Sequence, residues 1–253
     1  MTGLCLTACA PKREPLTTAQ RATIYERANV QFTNAVLFKP FEAGPTNVLG
    51  FKLAPLLLQE VTNTNSLIPP VVVFYEENKV LLNGTPHDQV IYVWRPLGPS
   101  DNTGDEYVTQ GIRITLNTSG SPVIWEVLAD NSSGELIFVS QSLEAAALKS
   151  FGAPLAGRRF AIESSLETAS NAIVARVIED GPLPMGPIVH LNAGSHNVST
   201  LICRCMPTQT KNLLATETYE LRPLRESKLN PAFAKTGEPS IARIKRVLRL
   251  PAL

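Results

Sequence analysis

The 253 residues carry 44% apolar and 18% charged side chains and a net charge of +1. That supports a sizeable core and gives no global pull towards nucleic acid or an anionic surface. No apolar run reaches the eighteen residues of a spanning helix, and four cysteines in two clusters are too few for a disulfide scaffold. Twenty prolines against fifteen glycines favour short strands and stiff loops. From Arg222 to Leu253 the chain holds eight Lys/Arg and two Glu, so a +6 tail follows a body of about −5.

The opening MTGLCLTACAPKREP contains Leu6-Thr7-Ala8-Cys9, which resembles the lipobox of bacterial lipoproteins. The resemblance covers four residues and implies lipidation at Cys9, a membrane anchor and a place in the bacterial cell envelope. A charged segment and an apolar stretch normally precede such a box; both are shortened here, as if translation began upstream. The polar run after Cys9 suits a tether, so residues 1–16 are read as a truncated signal and linker.

Thr17 and Thr18 suit the cap of a helix through Arg27. Val36–Phe38 reads as a strand, and Leu53–Val61 is apolar enough for either strand or helix. From Pro70 the β signals strengthen. Val71–Tyr75, Lys79–Leu82 and Gln89–Trp94 flank an Asn83-Gly84 turn, the pattern of a hairpin. Ile112, Ile114 and Leu116 alternate onto one face, as do Val123, Trp125 and Val127. Leu136–Val139 is apolar on both faces, as in a central strand. Ser142 is expected to cap a helix over Leu143–Ser150 that Gly152 and Pro154 stop. Arg159–Ile162 and Ala172–Ile178 read as further strands, and Thr216–Leu224 as another. Ile241, Ile244 and Leu248 form an apolar stripe on a last helix, with arginines opposite in solvent. The segments 99–106 and 231–238 read as loops.

The candidate chemistry gathers in Gly181–Pro207. Cys203 and Cys205 alternate on an expected strand, so both side chains face one way, with His190 on that side across the Asn192–Ser199 turn and His196 within it. The expected role of both cysteines is as small core side chains. As an alternative, two thiolates and two imidazoles suit zinc or copper by ligand type, although C-x-C on an extended strand spreads its sulfurs. A disulfide or redox pair is the third reading, and it needs the strand to fold up. No nucleophile elbow, Walker A, dinucleotide fingerprint or H-E-x-x-H motif accompanies them. His87-Asp88 reads as a turn, and Tyr75, Tyr92, Trp94 and Trp125 as core aromatics.

The expectation is therefore an α+β fold, predominantly antiparallel β-sheet with one internal helix and terminal helices. One domain spans 17–224, and a basic tail with an amphipathic helix spans 225–253. The function expected is that of a non-catalytic envelope lipoprotein, a binding or structural module with a protein or small-molecule partner, no cofactor and no nucleic acid. The alternative is a metal-dependent or thiol enzyme using His190, His196, Cys203 and Cys205.

Overall fold

Asn83 and Gly84 both take positive φ, 52° and 85°, which matches a type I′ turn to the twist of two antiparallel strands. The hairpin they make is the longest among the described residues, β3 (Val71–Leu82) against β4 (Thr85–Pro96), in register from Val71↔Pro96 to Leu82↔Thr85. The computed structural model describes residues 14–41, 48–62, 71–96, 110–129, 134–193, 195–205, 210–227 and 240–251. The lipobox-like run Leu6–Cys9, Cys5 and the segments 99–106 and 231–238 lie outside them.

The remaining strands are β1 (Phe32–Pro40), β2 (Leu56–Glu60), β5 (Gln110–Leu116), β6 (Pro122–Ala129), β7 (Glu135–Ser140), β8 (Ala172–Ile178), β9 (Ile188–Leu191), β10 (Val198–Ile202) and β11 (Thr210–Pro223). All eleven strands of the described residues join one sheet, in the order β10-β9-β2-β1-β11-β3-β4-β5-β6-β7-β8. The sheet curls into a nearly closed barrel. Its end strands, β8 and β10, approach each other, and helix α1 (Thr18–Arg27) touches both. A capping box fixes the start of α1: Gln20 N donates to Thr17 Oγ1 at 3.2 Å, and Thr17 N to Gln20 Oε1 at 2.8 Å. At its other end Arg176 of β8 donates to the Ala28 carbonyl at 3.1 Å.

This architecture corrects the expectation of a predominantly antiparallel α+β fold. Four neighbour pairs are parallel: β1–β11, β11–β3, β2–β9 and β7–β8. The helices α1, α2 (Leu49–Lys52), α3 (Gln141–Phe151) and α4 (Ser240–Val247) are short and serve the barrel. The reason lies in β11. Only one of its fourteen residues, Tyr219, is buried, so it shows no alternating apolar face, yet it enters between β1 and β3 and runs parallel to both.

The barrel interior is packed with side chains rather than open. Phe38, Leu57, Tyr92, Trp94, Ile112, Ile114, Trp125, Phe138 and Tyr219 all contribute, so three of the four aromatics expected in the core are there, and the fourth, Tyr75, is partly buried against its edge. On β6 the inward row holds Trp125 and Val127, while Val123 turns outward beside Ile124. β7 is apolar on both faces as expected, Leu136 and Phe138 inward and Ile137 and Val139 outward.

The outer face of β6–β8 carries a second core beneath α3, α4 and the irregular segment 152–171. Ser140, two residues before the expected cap, accepts Leu143 N at 3.2 Å and starts α3 early. Arg159–Ile162 is not a strand. Buried Arg158 reaches the carbonyls of Ser164, Ala169 and Ala172 at 2.7 Å each, and the carboxylate of Glu163 collects the N–H groups of Arg159, Phe160 and Val174 at 3.1 Å. These bonds replace the ladder that the segment lacks. Burial still lowers the Arg158 pKa and raises that of Glu163.

Helix α4 belongs to this second core through Ile244, Val247 and Leu248. Its arginines are not a solvated face: Arg243 is 5% exposed. His87-Asp88 lies within β4 rather than in a turn. His87 Nδ1 meets the Leu116 carbonyl at 2.8 Å, and Asp88, on the opposite face, pairs with Lys79 at 3.3 Å.

Candidate functional site

One end of the barrel is covered by loops that need bare backbone. A Cβ on Gly186 would strike the carbonyls of Leu53 and Ala54, and Leu56 N donates to the Pro187 carbonyl at 2.9 Å, so Gly186–Pro187 lies flat against the segment after α2. That segment is tied down from within the barrel. Tyr92 donates to the Gly50 carbonyl at 2.7 Å and Tyr219 to the Pro55 carbonyl at 2.6 Å, and burial raises both phenol pKa values. Arg204 donates to the Ala54 carbonyl from the other side, and burial lowers its pKa.

Between these loops and the β5–β6 turn is a cleft of about 310 Å³. Trp125, Ile178, Leu183, Met185 and Pro187 make it apolar; Asp180, Arg204 and Asn117 bring polar groups to its wall. Asp180 is fixed by the first turn of α3, taking Ser142 N at 2.8 Å and Ser142 Oγ at 3.1 Å. Leu183 is 67% exposed at the mouth.

Cys203 lines the cleft and is bonded to Cys205 in a disulfide. The expected strand ends at Ile202, and the chain turns there, bringing the two Cα atoms to 5.2 Å. This corrects the reading of both cysteines as core side chains. Cys203 is 8% exposed and part of the barrel core, whereas Cys205 is at the surface. Cys205 N donates to Cys203 Sγ at 3.1 Å. Gly181 sits alongside, its missing Cβ leaving backbone next to that sulfur.

The histidines lie elsewhere. The β9–β10 hairpin forms as its spacing implies, with Val189↔Leu201 and His190↔Thr200. His190, however, projects from the outer face with Ile188, Ile202 and Phe32, its ring centroid 5.0 Å from that of Phe32, while Cys203 points into the barrel. It is fully buried, and neither ring nitrogen has a hydrogen-bond partner among the described residues. Burial, aided by Arg176, lowers its pKa to about 4. His196 is in the hairpin turn with φ 53°, at the far end of the barrel, where Nδ1 meets Gln59 Oε1 at 2.9 Å. Burial lowers its pKa too. Among the described residues no three His, Cys, Asp or Glu side chains are grouped to hold a metal ion.

The structure thus separates the two histidines from the two cysteines and gives the cysteines other neighbours. Asp180, Met185 and Arg204 were not singled out for a site in the sequence, and Trp125 was read as a core aromatic. The available signal was the Pro/Gly-rich run that leads from Gly181 to the cysteines. No family model, curated protein or solved structure matches this chain.

Proposed function

We propose that the chain is a lipid-anchored module of a bacterial cell envelope that binds a partner in the cleft at the barrel end. The observation that carries the reading is the Cys203–Cys205 disulfide, because such bonds persist in the periplasm and outside the cell and are rare in the reducing cytosol. The Leu6–Cys9 lipobox is independent support for the same compartment. A preformed concave site with apolar walls and a few placed polar groups is the usual form of a binding pocket. The partner is held by contacts with Trp125, Leu183 and Met185 and oriented by Arg204 and Asp180.

Expression in a bacterium with its native leader, followed by fractionation and labelling with a fatty-acid analogue, tests the anchor. The wild type should label and sediment with membranes, and Cys9→Ser should lose the label and move to the soluble fraction. Equal fractionation of the two forms, with no label on either, would overturn the envelope reading.

A further inference from the structure

The Cys203–Cys205 bond is poorly placed to hold the fold together. It spans a single residue, follows the end of β10, and joins no two elements of structure. The loop it closes is too short to remove much entropy from the unfolded chain. The segment has its own anchor in the Arg204–Ala54 hydrogen bond. What the bond does have is asymmetry and a site. One sulfur belongs to the exposed Cys205, and the other, in Cys203, lines the apolar cleft.

We propose that this disulfide is a reactive centre that oxidises a dithiol in a protein segment bound in the cleft. The inference builds on the cleft as a binding site and is independent of the lipid anchor. A thiolate of the bound partner reaches past the cleft wall at Cys203 and Arg204 and attacks the sulfur of the exposed residue Cys205. The partner–Cys205 bond forms as the Cys203–Cys205 bond breaks, and Cys203 leaves as a thiolate that accepts the Cys205 N–H and then takes up a proton. The partner's second thiol loses its proton and attacks the partner sulfur of the mixed disulfide, and Cys205 leaves as a thiolate and is protonated in turn. Two electrons and two protons pass from the partner dithiol to Cys203 and Cys205, and the partner keeps the disulfide. The apolar walls and the exposed Leu183 select a thiol in an extended segment with an apolar neighbour, over a small hydrophilic thiol.

The test uses the full chain and a reduced synthetic peptide with a Cys-x-x-Cys pair next to a leucine, with dithiothreitol as a small dithiol for comparison. Differential alkylation and peptide mass spectrometry separate Cys203 and Cys205 from Cys5 and Cys9. Oxidised peptide should appear one for one with loss of the Cys203–Cys205 bond, with the circular dichroism of the folded protein retained. Leu183→Asp should lower the ratio of the peptide rate to the dithiothreitol rate about tenfold. With the oxidised peptide, Cys203→Ser should trap a mixed disulfide at Cys205, and Cys205→Ser should trap none. Reduction only at denaturant concentrations that unfold the chain would show a structural bond and overturn the proposal. So would an unchanged rate ratio in Leu183→Asp, or equal trapping by both serine variants. None of these results depends on where the protein resides, so failure here leaves the fractionation test standing.

Discussion

Arg243 of α4 and Glu126 of β6 meet with Nε and Oε1 3.5 Å apart, and water is excluded from both. Arg113 of β5 approaches the same carboxylate at 3.3 Å, and Arg243 also reaches Glu135 at 3.2 Å. A buried charge that loses its partner is far more costly than an exposed one. Glu126→Ala, which takes the carboxylate from two buried guanidinium groups, should destabilise the fold by about 3–5 kcal/mol in urea unfolding. Asp88→Ala, which breaks the exposed pair with Lys79, should cost under about 1 kcal/mol. Equal effects would show that the Glu126 network contributes no more than a surface pair.

Removing residues 240–253 strips Ile244, Val247 and Leu248 from the second core and Arg243 and Arg246 from Glu126 and Glu135. Each apolar side chain contributes about 1.5–3 kcal/mol by its burial. At roughly 2–4 °C per kcal/mol for a chain of this size, Tm should fall by about 10 °C or more. An unchanged Tm, together with lost binding to anionic vesicles, would instead make the helix a surface-binding element.

His190 has a folded pKa of about 4 against an ordinary 6.5. The unfolded chain therefore binds the proton first. Stability does not respond to this group above about pH 6.5, and it falls as pH drops from there towards 4, by about 3 kcal/mol in all, because protonation favours the unfolded chain. His190→Phe should flatten the stability profile in that window relative to the wild type, and at pH 7 it should cost little, because it removes two unpartnered buried nitrogens. Parallel wild-type and variant profiles between pH 4 and 6.5 would refute this account.

Gly186 has no room for a side chain against Leu53 and Ala54, whereas the Cβ of an alanine at Gly181 would lie 3.2 Å from Cys203 Sγ. Gly186→Val should displace the segment that Tyr219 and Arg204 hold and lower stability by about 1–3 kcal/mol. Gly181→Ala should do less, since Gly181 is exposed and its new Cβ has only a tight contact with one sulfur to relieve. Thermal unfolding of the two variants gives the comparison.

Local signals were legible where a local contact satisfies them. Asn83-Gly84 dictates its own hairpin, and the Ile112, Ile114 and Leu116 row reads directly as an inward face. Thr17 and the strand Ala172–Ile178 were also placed correctly. Parallel neighbours were not legible, because alternation reports which face is buried and not which strand lies alongside. Leu57 next to Val189 and Leu136 next to Ile173 are pairings between segments far apart in sequence. At the cleft, the cysteines drew attention for their chemistry, but the alternating pattern of Val198–Ile202 was extended past Ile202. The turn that follows, which closes the disulfide, comes from contacts of Arg204 with Ala54 that no short window contains.

The placement of β11 governs the order in which the barrel can be made. β1 and β3 are separated in the sheet by a strand from residues 210–223, so the first strands synthesised cannot join the rest until most of the chain exists. Folding that waits on such distant segments is slow and leaves unpaired edges in the meantime. Until β11 arrives, a growing chain can form the β3–β7 meander but not the barrel. A ribosome or translocon releasing the chain from its N-terminus would thus deliver an unfinished sheet, and a stop between β10 and β11 would leave two half-sheets, β10-β9-β2-β1 and β3 to β8, without the strand that joins them.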